Sequence, residues 1–264
     1  MNSEYWLKVC DEIGNKAYSE IKKTTKDDRE KVLGRGFGGD KTLMMDDKIE
    51  SIAFDTFEKT GESFTIISEE RGKKVFGKNP KITISLDPID GSNNFMYGVP
   101  FYCISIAVSS SEILGSVEVA YVKNLSNGDV YTAVKNKGAY KNGKKITVRN
   151  KNAGMLLVEF TRNSSGPTKL VEINKIFHVR KMGCIALSSC LLAEGIVDAC
   201  IATDLKRSLD LSAAYLIVRE AGGIITDQEG KDIGNMQISF NCDSDFVIGS
   251  DKEIHSKILS MLGD

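Results

Sequence analysis

The chain has 264 residues, 41% hydrophobic and 27% charged, a composition that excludes disordered and fibrous classes and suffices for a large buried core. With 35 Lys and Arg against 36 Asp and Glu, the net charge of −1 speaks against nucleic acid or an anionic membrane as partner. The N-terminal MNSEYWLKVCDEIG has no long apolar run and the six cysteines no C-x-x-C spacing, so neither a secretion signal nor a bilayer span is expected, and the thiols should be free and buried in a reducing cytoplasm.

In chain order, Trp6, Val9, Cys10, Ile13, Ala17 and Ile21 recur at helical spacing and predict an amphipathic helix over 3–23. GRGFGG (34–39) breaks that pattern. No G-K-[ST] follows it at the spacing of a phosphate-cradling P-loop, so it reads as a mobile flap. A second helix is expected over 47–60, stopped by Gly61. Short strands follow near 63–68, 81–87, 101–109, 113–122, 129–134 and 144–148, with turn signals at Asn127-Gly128 and Asn142-Gly143. Beyond about residue 150 the texture alternates. Strands are expected at 155–160, 197–202 and 245–249, and helices at 168–177, 185–194 and 252–262, with another in LDLSAAYLIVRE ahead of Gly222-Gly223.

The stretch KITISLDPIDGSNNF (81–95) carries the chemistry. Ile82, Ile84 and Leu86 alternate with Thr83 and Ser85 as in a half-buried strand, which Asp87 ends. Pro88 restricts Asp87 to extended backbone, and the turn through Gly91 returns Asp90 beside it. Two such carboxylates repel unless something neutralises them, and hard divalent cations prefer carboxylate oxygens. Glu69 and Glu70 end a strand, Asp210 opens a helix, and Asp46 and Asp47 open another, each also explicable as surface or helix capping. His178 and His255 have no ligand-spaced partner and read as structural or surface residues.

Together these segments resemble the inositol monophosphatase superfamily of metal-dependent, lithium-sensitive phosphatases, most nearly its dual inositol monophosphatase/fructose-1,6-bisphosphatase branch. DPIDGSNNF is similar to the family's D-P-x-D-G-[ST]-x-N-F signature and LDLSAAYLIVREAGG to its second signature, while SEE (68–70) and MMDDKIE (44–50) resemble two further blocks in the family's order. The fold expected is α+β, a layered αβαβα sandwich. An antiparallel sheet region over 1–150 would carry most metal ligands, and an alternating α/β region over 151–264 would carry Asp210 and the substrate pocket.

By position, the resemblance implies Glu69, Asp87, Asp90 and Asp210 as side-chain ligands and the Ile89 carbonyl as another, with Asp46 helping to hold a third ion. The cofactor would be two or three Mg2+ per subunit, with Mn2+ as a substitute. Glu69, Asp90 and Ser92 would be catalytic, Ser92 standing where the family commonly has Thr and orienting the water together with Glu69. Gly91, Ser92 and Asn93 would receive the phosphate. Gly183, Cys184 and Ala186 of GCIAL resemble the segment lining the sugar or inositol pocket, although Cys184 replaces a commoner Ser or Thr. Many members carry a Glu where this chain has Thr203, with Asp204 beside it as the polar group for the polyol. Apart from the resemblance, Lys206 and Arg207 fall in a short loop before Asp210, and their charges suit a second substrate phosphate.

The implied function is hydrolysis of small sugar or polyol phosphate monoesters, inositol 1-phosphate or fructose 1,6-bisphosphate, by a cytoplasmic homodimer without nucleic-acid or membrane partners. The alternatives are a 3′-phosphoadenosine 5′-phosphate or NADP phosphatase, and a metal-binding regulatory protein that kept the fold.

Overall fold

The computed structural model describes residues 1–37, 41–149, 154–160, 169–205, 207–240, 242 and 244–263. Helix α1 (Ser3–Lys23) has the bounds that its apolar spacing predicts and buries Trp6, Cys10, Ile13, Ala17 and Ile21 along one stripe. Its first turn is capped by Asn2, whose side chain accepts from the Tyr5 amide. Helix α2 (Lys26–Glu30) starts in a Thr25/Asp28 capping box. A hairpin of β1 (Val32–Arg35) and β2 (Lys41–Leu43) then leads into α3 (Met44–Glu58). This helix starts earlier than its apolar spacing indicates, because the Asp46 carboxylate reaches back to the Leu43 amide at 2.8 Å and satisfies it.

The next elements are β3 (Phe64–Ser68), β4 (Gly72–Phe76), β5 (Thr83–Asp90), helix α4 (Ser92–Tyr97), β6 (Cys103–Ser109), β7 (Val117–Asn124), β8 (Val130–Val134), β9 (Gly138–Lys141) and β10 (Lys144–Ile146). Among the described residues they form an eight-stranded sheet in the order β10-β9-β8-β7-β6-β5-β3-β4. Only the β3–β5 pair is parallel there. Asn142 (φ 49°) and Gly143 (φ 77°) supply the left-handed pair that the tight β9–β10 turn requires.

The remainder comprises β11 (Met155–Phe160), α5 (Leu170–Ile176), β12 (His178–Arg180), α6 (Ile185–Ala193), β13 (Ala199–Leu205), α7 (Ser212–Glu220), β14 (Ile224–Asp227), β15 (Ser244–Gly249) and α8 (Lys252–Gly263). Its described strands make a mixed five-stranded sheet, β12-β11-β13-β15-β14.

Period-2 alternation along the strands stacks the layers. Ile66, Ile84, Leu86, Ile104 and Ile106 face α1 and α3, where Ile13, Ile49 and Phe57 meet them. Ala107, Ala120 and Val122 face the opposite way, onto Leu187, Cys190 and Ile217 of α6 and α7. Those helices touch the second sheet too, through Leu157, Cys200 and Ile248. This explains why IALSSCLLA is buried nearly all round and lacks a polar face. Leu156, Val158, Ile201 and Val247 point outward to Ile173 of α5 and Ile258 of α8. The result is an αβαβα sandwich.

Edge strands β4 and β12 escape the periodic reading because GKKVF and HVR are largely exposed and charged. The stretch expected as one strand over 113–122 opens instead with a 3-10 turn, Leu114–Ser116. All six cysteines are free and buried. Among the described residues no helix is long and apolar enough to cross a membrane.

Candidate active site

Strand β5 does not end at Asp87; it runs on to Asp90 through a bulge. Asp87 is matched with Ser105 and Asp90 with Cys103, so β5 uses one residue more than β6 between these points. In a regular strand residues three apart face opposite ways. With the extra residue, Leu86 and Ile89 both bury in the α1/α3 core, while Asp90 bonds to the α6 side, the face that Asp87 shares. Gly91 follows at φ 88°, and a Cβ there would lie 3.0 Å from the Phe101 carbonyl oxygen, so only glycine fits the turn into α4.

Asp90 is held from α6. The Ala186 amide donates to Asp90 Oδ2 at 2.7 Å and the Cys184 thiol to the same oxygen at 3.1 Å. The carboxylate thereby caps a helix from another element. The segment before α6 is in turn held by Glu159, which accepts from the amides of Gly183 (2.7 Å) and Met182 (3.3 Å) and from the Ser188 hydroxyl (2.6 Å). Of the residues expected to line the sugar pocket, Gly183 thus bonds to Glu159, and Cys184 and Ala186 bond to Asp90. Sequence reasoning missed Glu159, although a lone acid in the apolar strand MLLVEF was a usable signal, since a buried charge needs partners. It also missed Glu50, fully buried on α3, which accepts from the Ser68 hydroxyl and pairs with Arg71 Nε at 2.9 Å, fixing the turn that carries Glu69 and Glu70.

Glu69 leaves β3 with its amide donating to the Leu86 carbonyl, 3.2 Å away on β5. Asp210 lies in a 3-10 turn, Ser208–Leu211, just ahead of α7 rather than within the α-helix itself. Asp46 enters from the start of α3. Burial and mutual repulsion bind these acids into one electrostatic unit. Burial first, then Glu69, Asp90 and Asp210, push the Asp87 carboxyl well above the usual range. Burial, opposed by Arg207 and reinforced by Asp210, raises Glu69 to about 7. Burial and then Asp210 raise Asp90 to about 7. Asp46 is pushed up by burial and then by Glu69.

The cluster fits hard divalent cations. The donor set is carboxylate oxygen, and Asp87 Oδ1 is buried without a hydrogen-bond partner among the described residues. A cation is already drawn in from the chain itself: Arg207 donates from Nη1 to Glu69 and from Nε to Asp210 Oδ2 at 3.1 Å. Arg207, expected to face a second substrate phosphate, lies among the carboxylates, whose charge attracts it.

The other expected residues are dispersed around this cluster. Ser92 is half-buried at the start of α4, and Asn93 beside it is exposed. Asp204 is exposed at φ 54°, its amide donating to Asp245 Oδ1 at 2.8 Å. Lys206 lies outside the described residues, as does the tip of the glycine-rich loop, 38–40. The part of that loop before the tip is anchored: the Phe37 amide donates to the Glu70 carbonyl at 3.0 Å, and its ring packs edge-on to Phe240, 4.8 Å between centroids.

Carboxylates gathered on a layered αβαβα scaffold define a class, that of α+β proteins with an acidic centre suited to metal ions. The profile of the inositol monophosphatase family matches residues 3–263. A fructose-1,6-bisphosphatase/inositol-1-monophosphatase of Methanothermobacter thermautotrophicus is 32% identical over 256 residues, covering 89% of this chain and 88% of that protein. A bifunctional NADP phosphatase/NAD kinase of Methanococcus maripaludis is 32% identical over 255 residues, and the match spans 88% of this chain but only 44% of that relative. A solved inositol monophosphatase–fructose 1,6-bisphosphatase superposes with a TM-score of 0.79 at 30% identity, over 96% of this chain and 99% of that one. The chain belongs to the inositol monophosphatase family, whose members are generally metal-dependent phosphatases.

Proposed function

We propose that the chain hydrolyses phosphate monoesters of small sugars or polyols, inositol 1-phosphate and fructose 1,6-bisphosphate first among them. The observation that carries this reading is that Glu69, Asp87, Asp90 and Asp210, from three separate elements, lie close enough to raise one another's carboxyls, with Arg207 joining Glu69 to Asp210. These side chains, with the Ile89 carbonyl, would hold two Mg2+, and Asp46 would help hold a third. When bound, the ions supply the positive charge that activates a water and stabilises the phosphoryl and leaving oxygens.

The chain's own groups do the rest. Glu69 and Ser92 orient the attacking water, with Glu69 taking its proton. The amides of Gly91, Ser92 and Asn93 receive phosphate oxygens, Gly91 leaving the approach clear of a side chain. Asp204 contacts the polyol, and Lys206 with Arg207 favours a substrate bearing a second phosphate, Arg207 exchanging a carboxylate partner for it. In this reading residues 1–150 supply most metal ligands and residues 151–264 supply Asp210 and the pocket. Mn2+ substitution, lithium inhibition and a homodimer belong to the same reading and rest on the signature motifs, while a cytoplasmic site rests on the free, buried thiols.

The test is phosphate release across a substrate panel, with Mg2+ and with EDTA, scored by kcat/KM. Release that needs Mg2+ and is fastest on sugar or polyol phosphates is expected; no release from any substrate with Mg2+ overturns the reading. A second reading, an NADP phosphatase, is favoured by the 32% identity to the bifunctional relative. Faster 2′-phosphate release from NADP than from inositol 1-phosphate in the same panel decides for it.

A further inference from the structure

A cavity of about 250 Å³ lies between the end of α1, helix α2 and the segment after α4, walled in part by Lys22, Arg29, Gly98, Pro100, Tyr102 and Ser126. It takes no part in the chemistry above. Two cations and a phenol meet there, and among the described residues no acid is part of the lining. Among the described residues Lys22 Nζ donates to the Ser126 carbonyl, at 3.2 Å, and lies over the Tyr18 ring. The Arg29 guanidinium sits 5.9 Å from the Phe95 ring centroid, and its buried Nε has no hydrogen-bond partner among the described residues. Of the acids on these helices, Glu20 pairs with Lys23 and Lys48 and Asp28 with Thr25, and none of them lines the cavity.

Tyr102 adds a phenol to the same recess. The residue is 6% exposed, packs edge-on to Phe95 and lines the cavity together with Arg29. Burial raises this phenol while the fields of Arg29 and Lys22 pull it back down, so the three groups share one space. Uncompensated cations around a recess attract an oxyanion. A guanidinium edge, an ammonium and a phenolic O–H are donors of the number and kind that a tetrahedral oxyanion accepts. The volume, below the roughly 300 Å³ at which sites for drug-sized ligands begin, suits a small oxyanion better than a nucleotide.

We propose that this cavity is a second oxyanion site, binding inorganic phosphate or a small phosphate monoester. Its walls join it to the catalytic region. Gly98 and Pro100 follow α4, and Tyr102 precedes Cys103, the β6 partner of Asp90. An anion here therefore rests against the segment that follows the Ser92 helix and against Tyr102, one residue before the β6 partner of Asp90, and ties their positions to the phosphate level.

The test uses the full chain in EDTA, titrated by calorimetry with inorganic phosphate and, separately, with glycerol 1-phosphate. Without metal the clustered carboxylates repel phosphate, so binding in EDTA reports the cavity. Binding is expected in at least one arm, and the tighter arm identifies the ligand. Arg29→Ala should weaken it about tenfold or more, and Tyr102→Phe and Lys22→Gln several-fold each. Thermal melts check folding; should Arg29→Ala fail to fold, the other two variants decide. No binding in either arm overturns the proposal, and so does binding that these substitutions leave unchanged.

Discussion

Asp90 joins two demands in one side chain. Its Oδ2 accepts from Ala186 and Cys184, which fixes the carboxylate, while its charge belongs to the acidic cluster. Asp90→Asn retains an oxygen for the Ala186 amide and loses only the charge. The variant should fold, with an unchanged far-UV circular dichroism spectrum, and lose about 100- to 1000-fold in kcat/KM. Near-normal turnover at saturating Mg2+ would remove Asp90 from the ligand set. Arg207 is the complementary case. Its side chain and that of Glu69 are 16% and 13% exposed, so the pair is mostly shielded from water. Arg207→Ala leaves buried carboxylates uncompensated and should destabilise the metal-free protein by about 3 kcal/mol. It should also tighten Mg2+ binding in a calorimetric titration, because a competing cation is gone. Weaker Mg2+ binding by the variant would contradict this.

Among the elements, the β5 bulge and α6 together aim the site. The bulge sets Asp87 and Asp90 on one side of the sheet, and α6 holds Asp90 there. Glu159 is the staple behind them, joining β11 to the segment before α6 through Met182, Gly183 and Ser188. Glu159→Ala orphans those donors in a buried place. A cost of about 2–4 kcal/mol in denaturant unfolding is expected, with kcat falling because Asp90 loses its fixed partner. A stability change within about 0.5 kcal/mol, the range of a surface substitution, would show that Glu159 holds nothing.

Over the whole molecule, metal-free stability should depend on pH in an unusual direction. Glu69 and Asp90 rise from 4.5 and 3.8 to about 7, and Asp46 and Asp87 shift the same way. The folded state therefore binds more protons than the unfolded one between the ordinary carboxylate range and about 7. Stability is then highest below the unfolded values and falls as pH rises through that window. In EDTA the Tm should be higher near pH 5 than near pH 8, and Mg2+ at pH 8 should close the gap by compensating the charge. A Tm that rises steadily from pH 5 to pH 8 in EDTA would refute the account.

The sequence alone determined the elements whose pattern is local. The bounds of α1 were legible because its apolar residues recur every turn, and the αβαβα layering was implied by the resemblance of four sequence blocks to the family. The acidic residues were legible too, since Asp87-Pro88-Ile89-Asp90-Gly91 concentrates charge and turn chemistry within a few positions. Only the tertiary structure decided how these groups meet. The bulge depends on the register of β6 against β5, which residues 81–95 do not encode by themselves. The partners of Glu159, Glu50 and Arg207 come from distant segments, so no local spacing announces them. Periodicity records which side of an element avoids water; which buried charges then face one another is set by how separate layers pack, and that is a long-range electrostatic and steric outcome.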